Sequence, residues 1–292
     1  MKLAIGTVQF GLPYGIINHS GQVSFEQASE VLSMGRVHGI KYLDTAIAYG
    51  NSEARLGKIG VSGFQVVTKL PPLPDLLPDG VADAGTWAKA HLTASLQRLR
   101  LDSIYGLLLH KSTDLLGPFG PTLLKALKEF RDQGLVKKIG VSVYAPKELE
   151  AVLSLTKLDL VQAPLNLVDR RLETSGWLRR LKDLDVEVHT RSAFLQGLLL
   201  TRAEALPPKF LPWLALWQRW QTWQTASACS ALGACLAFPQ SVPEVDRVVT
   251  GVDGPAHLQG ILAAMREPLP PYWPEIACDD DQLVNPSRWS EL

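Results

Sequence analysis

The sequence predicts an α/β fold: a (β/α)8 TIM barrel of eight parallel strands, with an N-terminal extension and a C-terminal tail. Three observations lead there. Short runs rich in Val, Ile and Leu alternate with longer helical segments along the whole chain. Eight such runs occur with no strand-only or helix-only block between them, and parallel strands need the crossovers that intervening helices supply. The 292 residues also suit one closed barrel, a fold that takes roughly 250. A single domain over 1–292 is expected, with 267–292 as its tail.

The runs that predict strands are Leu3–Gln9, Lys41–Thr45, Gln65–Lys69, Gly106–His110, Lys138–Val143, Leu160–Ala163, Val186–Thr190 and Arg247–Gly251. The segments between them predict helices over Ser24–His38, Ser52–Ile59, Thr86–Leu99, Thr122–Gln133, Pro146–Leu155, Glu173–Leu184, a long region Lys209–Leu236, and Pro255–Met265. Pro71, Pro72, Pro74 and Pro78 mark a stiff connection after the third strand. Trp213, Trp217, Trp220 and Trp223 fall on roughly one helical face, first of all a packing stripe. The tail holds Pro268, Pro270, Pro271 and Pro274 with Trp273 and Trp289, so it cannot be mainly helix.

Composition narrows the function classes. Hydrophobic residues at 46% and charged residues at 20% are enough for a large core. Lys plus Arg equals Asp plus Glu at 29 each, so no net field draws the chain to nucleic acid or an anionic membrane. Cys229, Cys235 and Cys278 are odd in number and lack the C-x-x-C spacing of a metal site, so neither a disulfide framework nor a metal is expected. The opening apolar run is too short for a signal peptide and no run reaches membrane-span length. A cytoplasmic protein is expected.

Chemistry concentrates at strand ends. In a (β/α)8 barrel the carboxyl ends of the strands converge on one mouth, so polar groups ending separate strands meet there. In L-D-T-A-I-A-Y-G, Leu43 to Gly50, a strand ends at Asp44 and Thr45 and a tight loop presents Tyr49. Lys69 ends the third run and His110 the fourth. Together they make a proton-transfer device: Tyr49 as donor, Lys69 drawing its pKa down, Asp44 compensating Lys69, and His110 orienting a substrate carbonyl.

Asp44-Thr45-Ala46, then Tyr49-Gly50, then Lys69, then His110 closely resembles the catalytic tetrad of the aldo-keto reductases, over nearly the whole chain. The resemblance implies hydride transfer between a nicotinamide cofactor, NADP or NAD, and a small-molecule aldehyde or ketone. It also implies that Ser142 and Gln162 hold the nicotinamide carboxamide and that Arg191 stands where an aromatic platform is common. R-S-A-F-L-Q-G-L-L-L, Arg191 to Leu200, further resembles relatives linked to bacterial surface-sugar synthesis, implying a sugar or nucleotide-sugar substrate.

Departures from the family pattern cluster on the cofactor side. Val143 replaces a common Asn, and Asp253 and His257 stand where basic and amide residues usually grip a 2′-phosphate. An acidic group there repels phosphate and accepts from ribose hydroxyls, which leans toward NAD. Gly251 and Gly254 permit close backbone approach, and Pro255 suits the first turn of a helix whose N–H groups attract phosphate. These departures leave two alternatives: a redox-silent sugar-modifying enzyme, or a non-catalytic binding or regulatory barrel.

Overall fold

The computed structural model describes residues 1–18, 20–77 and 83–292, and in it eight strands close into a parallel barrel in sequence order, with β8 pairing back onto β1. In the first half, β1 (Leu3–Gly6) leads through a helical turn α1 (Val8–Gly11) to α2 (Phe25–Val37). Next come β2 (Tyr42–Asp44), α3 (Ser52–Ile59), β3 (Gln65–Leu70), α4 (Ala84–Leu99), β4 (Ile104–Leu109) and α5 (Gly120–Asp132). The second half runs β5 (Val136–Ser142), α6 (Lys147–Leu155), β6 (Leu160–Pro164), α7 (Arg171–Thr174), α8 (Trp177–Asp183) and β7 (Glu187–Arg191). It continues through α9 (Leu214–Ser227), α10 (Ala231–Ser241), β8 (Arg247–Gly251) and α11 (Pro255–Ala264). The tail carries two further turns, α12 (Asp281–Val284) and a 3-10 turn over Pro286–Glu291.

Where the sequence predicts an N-terminal extension, β1 already begins at Leu3. That strand also ends earlier than its apolar run: Phe10 N–H donates to the Thr7 carbonyl and Leu12 N–H to that of Val8, each at 3.0 Å, so Val8–Gly11 coils. Hydrophobicity alone does not separate a strand from a buried turn. The helix expected over Glu173–Leu184 breaks at Gly176, which takes a left-handed φ of 79°. The long Lys209–Leu236 region breaks after Ala228 (φ 49°), and Ser230 caps α10 by accepting from Gly233 N–H at 2.9 Å. Pro78 lies outside the described residues.

Alternation along the strands sorts the side chains. Leu43, Val66, Leu107, Val141, Val161 and Val188 join the large core shared with the helices. Val67, Leu108 and Leu160 with Tyr105 form a second, separate cluster, filling the barrel's interior as the fold requires. Helix faces complete the outer core: Leu123, Ala126, Leu127 and Phe130 of α5 are buried at helical spacing. Each large side chain so buried contributes about 1.5–3 kcal/mol. At the amino end of the barrel, Glu187 of β7 accepts from Tyr105 Oη at 2.6 Å, pairs with Lys138, and meets His189 Nε2 at 2.7 Å, a satisfied polar floor.

The tryptophans pack as expected. Trp217 and Trp220 are fully buried, and their indole N–H groups donate to the Leu198 and Leu199 carbonyls at 3.3 and 3.0 Å. They thereby pin the segment that follows β7. Among the described residues no helix is long and apolar enough to cross a membrane.

Candidate active site

A cavity of about 380 Å³ opens at the carboxyl end of the barrel. It is lined by Tyr49 and His110, by Ser142, Gln162 and Arg191 at the ends of β5, β6 and β7, and by Gly251, Asp253 and His257 after β8. The structure therefore gathers around one space nearly all the candidate residues, from the proton-transfer end to the cofactor end. Lys69 lies behind the wall, 1% exposed, reaching the site through Asp44.

The core of the site is a buried hydrogen-bonded chain. Lys69 Nζ donates to Asp44 Oδ1 at 2.6 Å and to the Thr45 carbonyl at 2.8 Å, while Gln162 Nε2 donates to Asp44 Oδ2 at 2.7 Å. Both carboxylate oxygens are thus occupied, which an ion pair this buried needs to offset its desolvation. Ser142 Oγ donates to Gln162 Oε1 at a longer 3.4 Å, as the pairing of Ser142 with Gln162 across β5 and β6 requires. The Asp44–Gln162 bond was not foreseen: it spans 118 residues, and no local signal in the chain marks it.

Tyr49 is placed by close backbone packing. Its N–H donates to the Ala46 carbonyl and its carbonyl accepts from Ser52 N–H, both at 3.0 Å, so the loop turns tightly between β2 and α3. Gly11 lies under that turn, and a Cβ there would stand 1.7 Å from the Tyr49 carbonyl oxygen. Gly50 completes the turn with a left-handed φ of 53°. Thr7, Thr45 and Ser52 lock the base through hydroxyl bonds of 2.9–3.1 Å. The Tyr49 ring meets His110 edge-on, 5.8 Å between centroids at 78°, and Lys69 Nζ lies 5.0 Å from its centre.

The electrostatics follow from burial. Burial first, and the Asp44 carboxylate second, push the Tyr49 phenol above its ordinary value, with Arg191 pulling the other way. This is the reverse of the lowering expected from Lys69, whose charge is matched by Asp44. Burial lowers Lys69 below the usual ammonium value although Asp44 opposes it. His110 is lowered to about 4, mainly by burial and then by Lys69 and Arg191, so it is neutral at pH 7.

Two loops arch across the cavity. Ile16 N–H donates to the Gln196 carbonyl at 3.3 Å, joining the segment after β1 to the segment after β7. Ser192, Leu195 and Gln196 all take left-handed φ values of 47–64°, a cluster of strained backbone of the kind that collects at binding sites. The arch brings Tyr14 and Asn18 to the cavity. Asn18 holds the first loop in shape: its amide donates to the Tyr14 and Gly21 carbonyls and accepts from the Ser20 and Gly21 N–H groups. None of the described residues lining the cavity comes from the tail.

The cofactor-side candidates line the same cavity. Arg191 lies with its guanidinium 4.6 Å over the Tyr144 ring, donating to the Val143 carbonyl at 3.0 Å. Asp253 N–H donates to His257 Nδ1 at 3.2 Å, closing the first turn after β8. Gly251 faces the Gln9 amide so closely that a Cβ would stand 2.5 Å from Gln9 Nε2.

A family model described as the aldo/keto reductase family matches residues 2–274. An aldo-keto reductase of Mycolicibacterium smegmatis is 32% identical over 148 residues, 47% of either chain. The chloroplastic pyridoxal reductase of Arabidopsis thaliana is 32% identical over 140 residues, 42% of this chain and 37% of the relative. The matched stretch thus spans about half or less of these relatives' length. Among solved structures, an aldo-keto reductase of Bacillus halodurans superposes with a TM-score of 0.70 at 21% identity, covering 92% of this chain and 88% of that one.

Proposed function

Because the chain belongs to the aldo/keto reductase family, we propose that it moves a hydride between a nicotinamide cofactor and an aldehyde or ketone, with Tyr49 as general acid. The observation that carries this reading is the buried Lys69–Asp44–Gln162 chain set behind Tyr49 and His110 at the barrel mouth. A phenol held above its ordinary value stays protonated at neutral pH, the form a donor needs when a carbonyl becomes an alkoxide. Neutral His110 is free to donate a hydrogen bond to the carbonyl oxygen and so fix its approach to Tyr49. Lys69 supplies positive charge behind the phenol, Asp44 holds Lys69 in place, and Gln162 holds Asp44.

The residues present fit a nicotinamide cofactor. Gln9 Oε1 and Thr250 Oγ1 are buried without a hydrogen-bond partner and border the cavity, a costly condition unless a ligand meets them. Ser142 and the second lone pair of Gln162 Oε1 would hold a carboxamide, and Gly251, Asp253 and His257 the adenosine half. When bound, the cofactor supplies the hydride. Tyr14, Tyr144 and Gln196 make the substrate side polar, which favours a sugar or nucleotide-sugar carbonyl.

NAD is the preferred form in this proposal. Arg191 is the single Lys or Arg among the described residues lining the cavity, and Asp253 offers a 2′-phosphate only repulsion. An exposed like-charge contact of this kind is worth about 1 kcal/mol, roughly fivefold in affinity. Fluorescence titration should therefore show NADH binding at least that much tighter than NADPH, with Asp253→Asn narrowing the gap; the opposite order refutes the assignment. A panel of aldehydes and ketones with both cofactors tests the reaction itself, and no turnover on any member would sink it.

The pH profile follows from His110 and Tyr49. With His110 lowered to about 4 and the phenol raised, reduction should hold a plateau across neutral pH and fall only as His110 gains a proton near pH 4. Alcohol oxidation needs the phenolate and should climb as pH rises. An acid limb centred near 6.5 in the reduction profile, the ordinary histidine value, would show that His110 is not held neutral as assigned.

A further inference from the structure

Among the described residues lining the cavity, Arg191 is the one arginine or lysine, and it has no carboxylate partner. Its guanidinium donates to the Val143 carbonyl and, at 3.3 Å, to Ser192 Oγ, both neutral acceptors. Among the described residues no carboxylate stands within ion-pairing distance of it. Asp44, the acid at this end of the cavity, has both oxygens taken by Lys69 and Gln162. Lys69 and Asp44 cancel and His110 is neutral, so Arg191 is the positive charge left beside them, while Asp253 stands exposed after β8.

That charge is held, not idle. Stacking on Tyr144 fixes the plane of the guanidinium, and the backbone contact fixes its rotation. Arginine has five N–H donors in a planar fork, of which two are engaged here, leaving three on a side chain that lines the cavity. A partly buried cation costs desolvation energy that neutral acceptors only partly offset. An arginine held in plane with free donors matches a carboxylate or phosphate, which it binds through two parallel bonds. Its charge bears on Tyr14, Tyr49, Lys69 and His110, so it stands at the proton-transfer end of the cavity.

We infer that Arg191 is the receptor for an anionic group on the substrate, a carboxylate or phosphate carried near the reacting carbonyl. This rests on the carbonyl-reduction reading and narrows its substrate class to an anionic aldehyde or ketone, such as a sugar acid or sugar phosphate.

The test compares aldehydes that share a reacting end and differ in whether they carry an anionic group: succinic semialdehyde against pentanal, and glyceraldehyde 3-phosphate against glyceraldehyde. In the wild type kcat/KM should favour the anionic member of at least one pair. In Arg191→Gln that preference should fall on the order of 10- to 100-fold, the worth of hydrogen bonds to a charged group, and Arg191→Lys should restore part of it. An unchanged ratio, with both members slowed alike, overturns the proposal. So does a 10-fold or greater loss of NADH affinity in Arg191→Gln with the ratio unchanged, which assigns the charge to a cofactor phosphate instead. If no aldehyde turns over, the reduction reading fails by itself. Calorimetry with succinate and inorganic phosphate then decides this proposal: binding by the wild type and not by Arg191→Gln supports it, and binding by neither overturns it.

Discussion

Tyr49→Phe is expected to lower kcat for carbonyl reduction about 100- to 10,000-fold, the usual contribution of a positioned proton donor. The substitution is narrow. The ring that meets His110 edge-on and lies beside Lys69 is retained, and the tight turn between β2 and α3 is held by backbone bonds that phenylalanine does not disturb. What is lost is the hydroxyl that burial keeps protonated. NADH titration should accordingly show binding retained while turnover collapses. Steady-state kinetics beside that titration checks the assignment, and a Phe variant that still reduces carbonyls at a wild-type rate would falsify it.

Lys69→Met is expected to cost about 3–5 kcal/mol of folding stability, the loss seen when one member of a buried ion pair is removed. Lys69 is 1% exposed and its partner carboxylate 6%, so water cannot replace the missing ammonium at Asp44. Only the Gln162 amide then remains bonded to that carboxylate. Adding Asp44→Asn should recover part of the stability, because it removes the uncompensated buried charge while an amide oxygen still accepts from Gln162. Activity should not recover with it, since the charge behind Tyr49 is gone in both variants. Urea unfolding of the two variants and the wild type, each with a turnover assay, separates these effects. Equal stability for Lys69→Met and wild type would show that the pair is not the support described.

Most of the fold is legible in the chain because a parallel barrel repeats one local rule. Each strand is a short apolar run, each crossover a periodic segment, and the run Arg247–Gly251 coincides with β8. Gln9 continues an apolar run yet coils. At Gly176 and Ala228 a left-handed residue ends one helix before the next begins, and the hydrophobic period, which carries on past both, does not record the break. The tail forms only short helical turns, in keeping with prolines that cannot donate to a helix.

The site divides along the same line. Asp44, Tyr49, Lys69 and His110 can be named from the sequence because topology sends the carboxyl end of every strand to one mouth, so a residue's place at a strand end already decides where it goes. Tertiary structure alone decided that Gln162 bonds Asp44, that Gly11 makes room for the Tyr49 turn, and that the segments after β1 and β7 meet across the cavity. It also left Arg191 stacked on Tyr144 without an acid beside it. These contacts join residues far apart in the chain and depend on how far each strand is staggered against the next. Barrel closure sets that stagger for all eight strands at once, and no single segment encodes it.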